Sequence, residues 1–181
     1  MSNIMQWDEL NFLRQIATTF FSQKQKKKDI DHFCDYLEFV LCLVYAYGWK
    51  DAEEIVGIVP FVDGFDDKAV NLEIGGKTFR DRITEDTTPD EILRLIDTEA
   101  HRGYNTGVYD AAATSGKTGI RKRWNTMKDD RVRDPHSYME GMTVGLKDRF
   151  YTYTGDSTLF PGGFGVPDLD IGCRCWITLQ S

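Results

Sequence analysis

The stretch Thr88-Pro89-Asp90-Glu91 marks the start of a helix more firmly than any other part of the chain. A threonine at the N-cap accepts a bond from the backbone N–H three residues on. A glutamate at that position returns a bond to the cap's own N–H, and proline in the first turn gives up a donor that has no helical partner. Beyond this start, Ile92, Leu93, Ile96, Ala100 and Tyr104 keep a helical spacing towards Ala113, and Gly116 supplies a stop. One long helix therefore divides the chain into two parts of different character.

Apolar residues before it also fall at helical spacing. Leu10, Phe12, Leu13, Ile16, Phe20 and Phe21 predict a first helix from Trp7 to Ser22. Lys24, Lys26, Lys27 and Lys28 interrupt the pattern and read as a solvated turn. Ile30, Phe33, Leu37, Val40, Leu41, Val44 and Tyr45 then form the stripe of a second helix over Asp29 to Tyr47, with Gly48 as its stop. A short third helix is expected from Asp51 to Val56. Pro60, Gly64 and neighbouring aspartates mark a loop, and the alternation from Val70 to Phe79 around Gly75-Gly76 predicts a small β-hairpin.

After the long helix, glycine, proline and aromatics rise and no helical stripe returns. The expectation is an α+β chain. A helical N-terminal region over 1–59 leads into a long helix and a small, mostly antiparallel, loop-rich domain over 60–181.

Hydrophobic residues make up 41% of the 181 and aromatics 13%, enough for a buried core. A net charge of −7 argues against a protein that simply coats nucleic acid, while leaving room for a local basic site. The opening Met1-Ser-Asn-Ile-Met-Gln-Trp7 lacks the regions of a secretory signal, and the apolar run Phe39 to Trp49 is short of the about 20 residues that span a bilayer. Cys34 and Cys42 lie in the second helix, where cysteine serves as a small hydrophobe.

Several clusters could carry chemistry. Ser115-Gly116-Lys117-Thr118 imitates part of a phosphate loop, but Ala111 stands where the leading glycine is needed and the stretch ends a helix instead of opening one. Lys117, Arg121, Lys122 and Arg123 open a basic stretch with Trp124 inside it, a pattern that can grip a nucleic-acid backbone. Asp129, Arg131, Arg133 and His136 have two readings. They form a polar network that pins loops, or His136 acts as a general base with Arg131, Arg133 and Glu99 around it, the equipment of a small metal-independent nuclease.

On the long helix Glu99 can pair with Arg102, Asn105 can bond loop backbone, and His101 is spaced to pair with Asp97. Cys173-Arg174-Cys175 precedes a terminal strand, Trp176-Ile-Thr-Leu, so both thiols share one side. With His136 and an aspartate such as Asp168 or Asp170 they are candidate zinc ligands, set against two thiols simply packed under a loop.

Taken in order, these pieces resemble a known family. Asp97-Thr-Glu99-Ala-His-Arg-Gly-Tyr-Asn105 resembles the "TE…N" helix of phage Mu F-like minor head proteins, and Trp124 through Asp129, Arg131, Arg133 and His136 is similar to its "W-T-x-x-D-x-R-V-R-x-x-H" signature. Gly141, Asp148-Arg-Phe150, Phe160-Pro161-Gly162 and Gly172-Cys173-Arg-Cys175 continue the likeness, which covers residues 77 to 178. Gly163 stands where the family often has aspartate and Gly172 where it has asparagine.

The resemblance implies a non-enzymatic minor structural protein of the phage head, inside the capsid near the portal, aiding head assembly or genome delivery. Portal protein, the capsid interior and DNA are the partners it implies, with no membrane or small-molecule substrate. It implies a virion location after assembly in the host cytoplasm; the residues themselves suggest no cofactor apart from a zinc ion at His136, Cys173 and Cys175. Some relatives carry toxin domains, for which no residues are left before Ser181.

Overall fold

A computed structural model describes residues 7–60 and 69–181. The opening residues before Trp7 and the loop expected around Gly64 lie outside the described residues. Helix α1 spans Asp8–Phe20, α2 Lys27–Val56 and α3 Pro89–Thr114. A 3-10 helix covers Arg80–Arg82, and the other elements are strand β1 (Arg121–Asn125), helix α4 (Asp134–Met139), β2 (Thr143–Gly145), β3 (Phe150–Tyr151), β4 (Ser157–Thr158), helix α5 (Pro167–Asp170) and β5 (Trp176–Gln180). This is the expected α+β architecture.

Helix α3 begins as the capping box requires. Thr88 accepts from the Glu91 backbone N–H, and the Glu91 carboxylate accepts from the Thr88 backbone N–H at 2.8 Å. The lysine run stays exposed at the turn into α2.

Two expectations are corrected. Gly48 does not stop α2, and the third helix from Asp51 is the same helix continuing to Val56, where Gly57 at φ +86 ends it. Gly48 serves another purpose. A Cβ there would lie 2.1 Å from the Tyr104 carbonyl oxygen, and a Cβ on Gly107 would lie 2.1 Å from that of Tyr45. The reciprocal pairing, 45 with 107 and 48 with 104, makes α2 and α3 antiparallel and in backbone contact. Glycine spacing without the partner helix cannot tell a close approach from a stop.

The hairpin from Val70 to Phe79 shrinks to a single bridge, Ile74 with Lys77, around Gly75 (φ +60) and Gly76 (φ +73). Its would-be strand carbonyls are used elsewhere: Val70 and Leu72 both accept from Arg102.

The main sheet is antiparallel in the order β2-β1-β5, and β3 pairs with β4 apart from it. Trp124 opposes Ile177 and Lys122 opposes Leu179. Alternate residues of a strand face alternate sides, so Lys122 and Trp124 point inward together while Arg121 and Arg123 point outward. One apolar core runs from Leu10 and Leu13 of α1 through α2 and α3 to Ile177 and Leu179 of β5.

Candidate functional site

Polar residues on α3 do most of the work of ordering the loops. Glu99 is buried and its carboxylate bridges two guanidinium groups, Arg82 and Arg102. The pairing with Arg102 follows from the three-residue helical spacing. Arg82 ends a short 3-10 helix, Arg80–Arg82, 17 residues before Glu99 in sequence, so no spacing rule announces it. Arg102 is only 2% exposed; burial pushes its guanidinium below the ordinary range, and Glu99 opposes that shift. A buried cation needs every donor placed, and Arg102 meets this by also bonding the Leu72 and Val70 carbonyls.

Asn105 holds the terminal strand. Its amide donates to the Cys175 carbonyl at 3.0 Å and its oxygen accepts from the Ile177 N–H at 3.0 Å, as a neighbouring strand would. Thr98 accepts from the Gly172 N–H at 2.8 Å. Gly172 sits at φ +74, the left-handed region that glycine and asparagine tolerate best. His101 does not pair with the Asp97 carboxylate. Its Nδ1 lies 3.0 Å from the Asp97 carbonyl, and the carboxylate instead takes Arg14 of α1 at 2.8 Å.

The residues from 129 to 136 split apart. Asp129 takes both arms of Arg174 at 2.7 and 2.8 Å, and that pairing holds its carboxyl below the usual range. Arg133 donates to the Ile171 carbonyl. Arg131 is 75% exposed and lies 3.7 Å from Asp129, so it stands outside any buried network. His136 is 1% exposed, stacked on Phe164 and edge-on to Trp124. Its Nδ1 lies 3.6 Å from the sulfurs of both Cys173 and Cys175.

Hydrogen bonding from Cys175 and then His136 holds the Cys173 thiol well below its ordinary value, while the same bond and burial push Cys175 up. Asp170 is not part of this cluster. It accepts from the Phe164 and Gly165 backbone N–H groups, and burial raises its pKa to about 6. Asp168 is exposed.

The geometry does not assemble the nuclease set. Glu99 is enclosed by arginines, Arg131 faces solvent, and His136 turns its one partnered nitrogen towards sulfur. The basic stretch is divided too. Lys122 is fully buried, its ammonium 4.8 Å from the Tyr109 ring centre and 5.3 Å from that of Phe150. It is removed from any surface a DNA backbone reaches, because the strand's two-residue period places it with Trp124. Lys117 donates to the Ile55 carbonyl at 2.6 Å and Arg121 to that of Thr143 at 3.0 Å, both exposed, and Arg123 is half-buried.

The residues that order the loops and the thiol–imidazole cluster thus fall along the chain in the order 99, 105, 124, 129, 136, 173, 175. The family model for phage Mu protein F like protein matches residues 68–178 of the chain. The chain belongs to that family. It is a phage Mu F-like head protein, and the match covers both the polar face of α3 and the thiol–imidazole cluster. The NAD(+)--arginine ADP-ribosyltransferase EFV of Enterococcus faecalis (strain ATCC 700802 / V583) is 25% identical over 142 residues, covering 59% of this chain. The aligned part is 29% of that protein's length. No solved structure matches. Among the described residues, no helix of the Mu F-like protein is long and apolar enough to cross a membrane.

Proposed function

We propose that this protein is a minor structural component of the phage head, seated inside the capsid near the portal, where it aids assembly or genome delivery. Membership of the family over residues 68–178 is the observation that carries this reading. The site geometry supports a structural role: Glu99, Arg102, Asn105, Asp129 and Arg133 spend their polar atoms on the protein's own loops. A domain built this way offers a preformed, rigid surface to portal or capsid protein. It reaches the virion by assembly in the host cytoplasm. Exposed Lys117, Arg121 and Arg131 supply the DNA contact, a salt-sensitive one of few phosphates.

The likeness to the ADP-ribosyltransferase is confined to part of that longer protein and does not bring an enzymatic activity with it. Co-purification of the tagged protein with portal or capsid protein, and defective heads on its deletion, are the expected results. Infectious particles of normal yield that lack the protein would refute the proposal.

A further inference from the structure

We propose that His136, Cys173 and Cys175 bind one zinc ion, with a water molecule as fourth ligand. In a tetrahedral site with zinc–sulfur distances near 2.3 Å and zinc–nitrogen near 2.05 Å, the sulfur-to-nitrogen edge is about 3.6 Å. Both such edges are 3.6 Å here, and the three donor atoms lie within 4.8 Å of one another. Each edge taken alone fits a weak thiol hydrogen bond. Two equal edges converging on one ring nitrogen are what a shared centre requires.

Nε2 of His136 is buried and has no hydrogen-bond partner among the described residues, being enclosed by the rings of Trp124 and Phe164, so Nδ1 is the ring nitrogen with polar neighbours. Nδ1 lies at the same distance from both sulfurs. Two thiolates and a zinc dication sum to zero charge, so the pocket can bury them with no net ion to desolvate. The fourth position opens on a crevice of about 10 Å³ between Arg131, Val132, Arg133 and Gly172, room for one water. With Asp170 committed to the Phe164 and Gly165 N–H groups, no carboxylate among the described residues competes for that place. The ion would fasten α4 to the segment that leads into β5, joining residues 37 and 39 positions apart in sequence.

The test uses the full chain, purified without chelator, with bound metal measured by mass spectrometry and the zinc then replaced by cobalt(II). The expected result is about one zinc per chain. The cobalt form should show thiolate-to-cobalt charge transfer in the near ultraviolet and intense visible bands of a tetrahedral ion. Cys173→Ser and Cys175→Ser should each weaken cobalt binding at least tenfold, and the Cys34→Ala/Cys42→Ala double variant should keep the bands. If either serine variant fails to fold, the wild-type spectrum still decides. Less than about a tenth of an equivalent of zinc at micromolar free zinc overturns the proposal. So does a cobalt spectrum without thiolate bands, or bands lost with Cys34 and Cys42.

Discussion

Replacing Gly48 by alanine tests whether backbone contact between α2 and α3 organises the helical layer. The new Cβ would stand 2.1 Å from the Tyr104 carbonyl oxygen, and ordinary contact begins at 3.4 Å, so the helices must part by up to 1.3 Å along that line. The obstructing atom is backbone and cannot rotate away. Overpacking of this kind costs about 1–3 kcal/mol, and gaps of 0.5–1 Å forfeit about a quarter to a half of the dispersion energy at each affected contact. Alanine returns about 0.5–1 kcal/mol through its helix propensity.

The net expectation is a loss of roughly 2 kcal/mol, which for a chain of this size lowers Tm by about 4–8 °C. Gly107→Ala, 2.1 Å from the Tyr45 carbonyl oxygen, should behave alike, and the double variant should lose less than the sum because one separation relieves both clashes. Gly103→Ala is the internal control. Its Cβ would meet nothing nearer than 3.7 Å, so it should be neutral or stabilising by up to about 1 kcal/mol. Thermal and urea unfolding of the four variants reads the outcome. A Gly48→Ala protein as stable as the wild type would refute the close-approach argument.

Glu99→Gln leaves Arg102, 2% exposed, without its carboxylate, and should cost about 3–5 kcal/mol in urea unfolding; a loss under about 1 kcal/mol would show the carboxylate is not needed there. Asn105→Ala strands the Ile177 N–H and Cys175 carbonyl, each costing about 1–3 kcal/mol, and amide exchange at Ile177 should quicken; unchanged exchange would count against the strand-surrogate role. Burial lowers the Lys122 pKa to about 8, with Asp148 and Arg149 as the charges that modify it. The folded form therefore releases its proton before the unfolded form does. Its penalty is fully present below pH 8 and fades towards the unfolded value of 10.5. Lys122→Met should accordingly stabilise by roughly 1–3 kcal/mol at pH 7, a gain that shrinks between pH 8 and 10.5; a gain independent of pH would refute the charge argument.

The helices are legible in the sequence because their signals are local. The Thr88 capping box and the apolar stripes of α1 and α2 act over three or four residues, and the structure keeps them except at Phe12, which the α1 stripe includes and which is 56% exposed. Gly48 reads as a stop because its meaning depends on Tyr104, distant in sequence. Lys122 groups with Lys117, Arg121 and Arg123 by proximity in sequence, although alternation along β1 sets it with Trp124. That alternation is present in the sequence and is the signal that separates it from its neighbours. The Arg82 bridge to Glu99 has none, since the two lie 17 residues apart in different elements. Residue type alone suggests that His136 could meet Cys173 and Cys175, and only folding brings Nδ1 to equal distances from both sulfurs.

Helix α3 explains how so little sheet holds so much loop in place. Its Gly107 and Ala111 side is small and apolar, and α2 lies directly against it. Thr98, Glu99, Arg102 and Asn105 recur at three- or four-residue steps or less and reach Gly172, Arg82, Leu72 and the approach to β5. Where the partner is buried, as at Cys175 and Ile177, losing the bond would cost about 1–3 kcal/mol. Loops cannot supply such partners to one another reliably, because they lack a fixed repeat of donors and acceptors. A buried helix with polar side chains at helical spacing can, and it does so at positions set to within its own rigid pitch. On α3 the carboxylate of Glu99, the guanidinium of Arg102 and the amide of Asn105 are thereby committed to the protein's own loops and terminal strand.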